Sequence, residues 1–262
     1  MTVHVNVTKA TVALEDTGKG IPILLLHGFP ATRMLWSRVA ALLTDAGFRV
    51  LVPDLVGYGQ SEASAGVPVD MASQAKWMLE VLDVLGVART IVVAHDVGSA
   101  AAQLMVVSSP QRVRALAVLD GVFGTEWAMN AIDSIRTWAP AEAGRIFPVL
   151  ARRLGKSAAL RDMLSAYEGQ QGGERLIRAA RALDPRQTEH IGAALSASAV
   201  PALILWGKQD EFLPLETVAR PLAELLRAPL VMLPGGHFTP IDCPVEVVAA
   251  LLDFFARLPP EL

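Results

Sequence analysis

The chain of 262 residues is poor in several residue types, and each scarcity removes a class of protein. Its one cysteine, Cys243, excludes an internal disulfide framework and a site built from several thiolates. It reads as a small apolar filler close to the rim of a site. The five histidines, His4, His27, His95, His190 and His237, show no compact ligand spacing, so no metal is assigned and no cofactor is expected. Charged residues make up only 19% and the net charge is −3. No basic stripe interleaved with aromatics is present, which argues against nucleic acid as a partner. No apolar run is long enough for a membrane span. The opening residues alternate and carry charges, unlike the apolar core of a signal peptide. The expectation is a cytoplasmic protein without a membrane partner, monomeric or homodimeric. Tyrosine is also rare, with only Tyr58 and Tyr167.

Hydrophobic residues, at 52%, are plentiful enough to bury one large core. Residues 3–14 alternate as an edge strand or hairpin does. Short apolar runs at 21–26, 48–52, 90–94, 113–119, 201–206 and 229–233 read as buried strands. Helical stretches at 36–46, 69–85, 99–108 and 244–257 separate several of them. This alternation predicts an α/β protein with a mostly parallel sheet covered by helices on both faces. Residues 121–199 break the rhythm, with helical segments around 126–138, 142–154, 157–167 and 173–182 and no convincing strand. The expected organisation is a core of 1–120 and 200–262 with a helical lid, 121–199, over the carboxyl ends of the strands. On that lid Arg152, Arg153 and Lys156 are expected to face solvent.

The run Ile91-Val92-Val93-Ala94-His95-Asp96-Val97-Gly98-Ser99 passes from a β-branched strand through a sharp turn into small residues. That form is a nucleophile elbow with an acid where serine usually stands. A carboxylate there makes an ester by attacking an electrophilic carbon. His237 lies in a Gly/Pro loop after a strand and is placed to take a proton from water. Asp210, after the strand ending at Trp206, can hold the other ring nitrogen, with Asp120 as the alternative acid. The amides of Phe29, in His27-Gly28-Phe29-Pro30, and of Val97 can form an oxyanion pocket. His27 and His95 read as structural or supporting, His4 as a surface residue and His190 as a lid or hinge residue. Ser99 lies three residues past the elbow and reads as a packing or helix-surface hydroxyl.

With these motifs the chain resembles the α/β-hydrolase superfamily over nearly its whole length, in its Asp-nucleophile branch of epoxide hydrolases and dehalogenases. His27-Gly28-Phe29-Pro30 with His95-Asp96-Val97-Gly98 is most similar to the epoxide hydrolases. The resemblance implies opening of an epoxide to a diol through an Asp96 ester, which water activated by His237 and Asp210 then cleaves. It implies a lid tyrosine that donates to the epoxide oxygen, for which Tyr167 is the candidate; Tyr58 reads as packing. Haloalkane or haloacid dehalogenation is the alternative. Val97 and Phe29 stand where haloalkane dehalogenases usually carry Trp and Asn, and no arginine follows Asp96 as in haloacetate dehalogenases. Trp36, Trp127, Trp138 and Phe238 are expected to line a pocket for a small apolar electrophilic substrate and water. Ester or lactone hydrolysis, and non-catalytic binding of a small molecule, are further alternatives.

Overall fold

A computed structural model describes residues 2–259. Strands β1 (Thr2–Val7) and β2 (Ala10–Thr17) form an antiparallel hairpin at one edge of a sheet. Next come β3 (Pro22–Leu26), α1 (Ser37–Asp45), β4 (Arg49–Pro53) and the short β5 (Glu62–Ala63), which pairs with β2. The chain continues through α2 (Met71–Val84), β6 (Thr90–His95), α3 (Gly98–Ser108) and β7 (Val113–Leu119). Six helices follow: α4 (Met129–Arg136), α5 (Ile146–Leu154), α6 (Ala158–Leu164), α7 (Gly169–Ala182), α8 (Arg186–Glu189) and α9 (Gly192–Ala197). The core resumes with β8 (Ala202–Gly207), α10 (Arg220–Leu226), β9 (Leu230–Leu233), α11 (Thr239–Asp242) and α12 (Pro244–Ala256).

The sheet runs β1-β2-β4-β3-β6-β7-β8-β9, antiparallel as far as β4 and parallel from β4 to β9. Its central strands are buried on both sides. Every residue of β6 is buried, which explains the unbroken Ile91-Val92-Val93 run. From β3 the chain crosses outward to β4, and from β6 it crosses the opposite way to β7. Right-handed crossovers therefore put α1 on one face and α2 and α3 on the other. The contacts agree, since α1 packs on α12 and α2 on α3. This reversal makes a crevice at the carboxyl ends of β3 and β6, the switch point where ligands of open α/β sheets bind.

Between β7 and β8 the described residues contain helices and a single isolated bridge, Phe123 to Glu126. These helices form a cap fastened to the core by specific bonds. Gln187 donates to the Asp70 carboxylate at 2.8 Å and accepts from the Met71 amide at 3.1 Å. The Arg178 guanidinium donates to the Val67 carbonyl at 2.6 Å. The Trp127 indole donates to Thr188 at 2.9 Å, closing the cap's own base. The sequence pattern misses α10, whose short apolar run lies between two better-marked strands.

Candidate active site

Asp96 follows the last residue of β6 and sits at φ +50°, a left-handed backbone uncommon outside glycine. The surroundings hold it there. Its amide donates to the Leu119 carbonyl at 3.2 Å, and its carbonyl accepts from the Ser99 amide at 2.9 Å and the Ser99 hydroxyl at 2.7 Å. Ser99 also accepts from the Val122 amide at 2.9 Å. It is thus a buried brace for the elbow and not a helix-surface hydroxyl. Small residues are required here by space: a Cβ on Gly98 would lie 2.3 Å from the His27 carbonyl oxygen, and one on Gly28 would lie 2.4 Å from Asp96 Oδ2.

That close approach lets the Phe29 amide donate to Asp96 Oδ2 at 2.8 Å. The Val97 amide stabilises the same carboxylate. The β3 loop is kept in shape by His27, whose Nδ1–H donates to the Gly28 carbonyl at 2.9 Å while Nε2 accepts from the Leu55 amide at 2.9 Å. Burial raises the Asp96 pKa, and the charge of His237 with the Phe29 and Val97 amides pulls it back.

His237, in the loop after β9, stands with Nε2 3.8 Å from Asp96 Oδ1. Its Nδ1–H donates to Asp210 Oδ2 at 3.0 Å. Asp210 is itself fixed, since its Oδ1 accepts from the Phe212 amide at 2.7 Å and the Leu213 amide at 3.1 Å. Burial alone would lower the His237 pKa. The Asp210 hydrogen bond and the charges of Asp210, Asp96 and Asp120 outweigh it and lift the value to about 9. Asp120 does not touch His237. Its Oδ1 accepts from the Gly207 amide at 2.6 Å and its Oδ2 from the Thr239 hydroxyl, so it ties the ends of β7 and β8 to the histidine loop. Burial drives its pKa up to about 8. The alternative acid is therefore a bracket beneath the site, and among the described residues Asp210 is the acid hydrogen-bonded to the imidazole.

Asp96 and His237 open into a cavity of about 280 Å³. Phe29, Phe212 and Phe238 line it from the core, and Trp127, Ile132, Ile135, Trp138, Ile146, Val149 and Leu150 line it from the cap. An acid held by two amides can attack carbon, and the imidazole beside it, polarised by a second acid, can then activate water.

Residues 21–159, more than half of the chain, match the family described as the alpha/beta hydrolase fold. The chain belongs to the alpha/beta hydrolase fold family. Among curated alpha/beta hydrolases and their kin, it is 29% identical to haloalkane dehalogenase 2 of Mycobacterium tuberculosis (strain ATCC 25618 / H37Rv), covering 95% of this chain and 92% of the relative. It is 35% identical to bifunctional epoxide hydrolase 2 of Sus scrofa over 109 residues, 41% of this chain and 20% of that protein. The solved haloalkane dehalogenase DbeA from Bradyrhizobium elkani USDA94 superposes with a TM-score of 0.82 at 24% identity, covering 98% of both chains.

This alpha/beta hydrolase departs from the sequence expectations at three side chains. Tyr167 does not line the cavity. It is wholly buried in a 3-10 turn after α6, and its hydroxyl donates to the Ala31 carbonyl at 3.0 Å. Tyr58, as expected, is a packing residue, buried away from the cavity wall and edge-on to the rings of His27 and Phe29. Trp36 is fully buried in the core at the turn before α1 and is absent from the cavity wall. Arg153, expected in solvent with Arg152, is exposed but forms part of the cavity rim with Glu211. Trp127, Trp138 and Phe238 do line the cavity. The apolar cap residues at 132, 135, 146, 149 and 150 were not singled out in the sequence. Their three- and four-residue spacing on α4 and α5 is the signal that marks such a face.

Proposed function

We propose that this chain hydrolyses an electrophilic saturated carbon compound through an ester on Asp96. The observation that carries the reading is the elbow: one carboxylate oxygen on the Phe29 amide, the other 3.8 Å from His237 Nε2, both at a largely apolar cavity. Oδ1 attacks the carbon, the carbon–Oδ1 bond forms, and the leaving group departs with the bonding electrons. Oδ2 stays on the amides and becomes the ester carbonyl oxygen. Esterification removes the Asp96 charge, one of those that raise the His237 pKa, so the imidazole gives up its proton more readily and is available in the neutral form as the base of the second stage. Water then gives a proton to His237 Nε2 and attacks the ester carbon. The oxyanion develops on Oδ2 against the Phe29 and Val97 amides. The tetrahedral centre collapses by breaking the bond to Oδ1, which leaves as the product hydroxyl with the proton from His237.

The leaving group divides the two forms of this chemistry. A halide departs without a proton, whereas an opened epoxide leaves an alkoxide that needs one. Neither tyrosine lines the cavity, while Trp138 does, and its indole nitrogen has no hydrogen-bond partner among the described residues. This favours a small apolar alkyl halide as the substrate, and the similarity to a haloalkane dehalogenase over 95% of the chain supports it. The second reading is epoxide opening, favoured by the 35% identical segment shared with an epoxide hydrolase.

A single turnover in heavy-oxygen water, with enzyme in excess over a panel of alkyl halides and epoxides, tests both. The expected result is label in the Asp96 peptide and none in the first-turnover alcohol, with release of halide or formation of a diol naming the substrate class. Asp96→Asn is expected to lose turnover by about 10⁴-fold or more. Label appearing directly in the first-turnover product would refute the ester.

A further inference from the structure

His95 ends β6 immediately before the candidate nucleophile and is completely buried. Its side chain reaches a different part of the site. Nε2–H donates to the backbone carbonyl of His237 at 2.7 Å, joining residues 142 positions apart. The two imidazoles lie with centroids 4.9 Å apart, and the His95 ring stacks on Phe238 at 5.8 Å with an interplanar angle of 30°. Nδ1 has no hydrogen-bond partner among the described residues. Since Nε2 faces a carbonyl, which only accepts, the ring proton is on Nε2. Burial, with the nearby His237 charge, holds its pKa well below the ordinary value, so His95 is a neutral ring with one fixed donor.

The loop it grips has reason to need a grip. Gly235 and Gly236 precede His237 and place little restriction on the backbone. Within this loop Asp210 bonds the His237 imidazole and not its backbone, Asp120 bonds Thr239 two residues on, and Asp242 bonds the Gly236 amide at 2.9 Å. Among the described residues, His95 is the side chain that bonds the backbone of His237 itself.

We propose that His95 is a positioning residue for the second stage of hydrolysis: its Nε2–H pins the His237 backbone, which keeps the imidazole between Asp210 and the water that cleaves the Asp96 ester. This rests on the function proposed above. Ester formation uses Asp96 and its amides, whereas ester cleavage uses His237. Losing the pin should therefore slow cleavage and spare formation.

The test uses His95→Phe, which keeps a ring and loses the donor, and His95→Gln, whose amide nitrogen can take the place of Nε2. Two measurements are made. Titration of the His237 imidazole by NMR needs no substrate. Its value, about 9 in the wild type, should fall by about one unit or more in His95→Phe and stay near the wild type in His95→Gln. Rapid-quench mass spectrometry should show ester cleavage slowed about tenfold or more in His95→Phe, with formation changed less than about twofold, and recovery in His95→Gln. Should the phenylalanine variant not fold, His95→Asn, too short to reach the carbonyl, takes its place against His95→Gln. The proposal is overturned by a wild-type His237 titration in the donorless variant, by equal slowing of both stages, or by no difference between donor-bearing and donorless variants. A wild type that forms no ester would defeat the reaction scheme, and the titration would still decide whether His95 positions His237.

Discussion

Two buried acids flank the candidate base, and hydrogen bonds tell them apart. Asp210 accepts from the imidazole, while Asp120 spends both oxygens on Gly207 and Thr239. Asp210→Asn removes the bond and the charge that most raise the His237 pKa. That value should drop from about 9 toward 6.5, as an NMR titration would read, and turnover should fall by about 10³-fold or more. An unchanged titration would mean that another acid orients the ring. Asp96, Asp210 and His237 were legible in the sequence because each follows a strand, and strand ends in a parallel sheet converge on one edge. The choice between Asp210 and Asp120 was not fully legible. Both sit at strand ends, and only packed coordinates show which carboxylate has an oxygen left for the imidazole. The sequence marks His95 as supporting, but its partner 142 positions away leaves no local trace.

At the scale of elements, the parallel strands and the helices between them were readable from periodicity. Their alternation already implied a sheet covered on both faces. The cap was readable as helices, though not as surfaces. Tyr167 and Trp127 are aromatic residues on the same insert, yet one fastens the cap and the other lines the cavity. Helix orientation decides that, and it is set by partners in the core. Tyr167→Phe tests the reassignment. It should leave turnover nearly unchanged and cost about 1–2 kcal/mol in chemical denaturation, because the buried Ala31 carbonyl loses its donor. A large loss of turnover with unchanged stability would return Tyr167 to the chemistry. Trp36 followed the same logic, since a tryptophan at the head of α1 serves the core beneath the sheet edge as readily as a pocket above it.

For the whole molecule, the buried site makes stability depend on pH. His237 is raised from 6.5 to about 9, so between those values the folded protein holds a proton that the unfolded chain releases. Its contribution is complete below pH 6.5 and lost as pH rises through 9. Asp120, raised from 3.8 to about 8, acts in the same direction, because the folded state keeps its proton where the unfolded chain has given it up. The unfolding free energy from chemical denaturation should therefore decline from pH 6.5 to 9, by on the order of a few kcal/mol at most, and the decline should flatten in His237→Gln. A profile that is level or rising there would contradict the assignment. No helix among the described residues is long and apolar enough to cross a membrane. One fastening joins the upper and lower halves of the protein. The Tyr167 hydroxyl is hooked to Ala31, two residues beyond the amide that grips Asp96. A guest that pries the roof upward tugs on the same short strap that steadies the floor, so entry and reactivity are geared to each other.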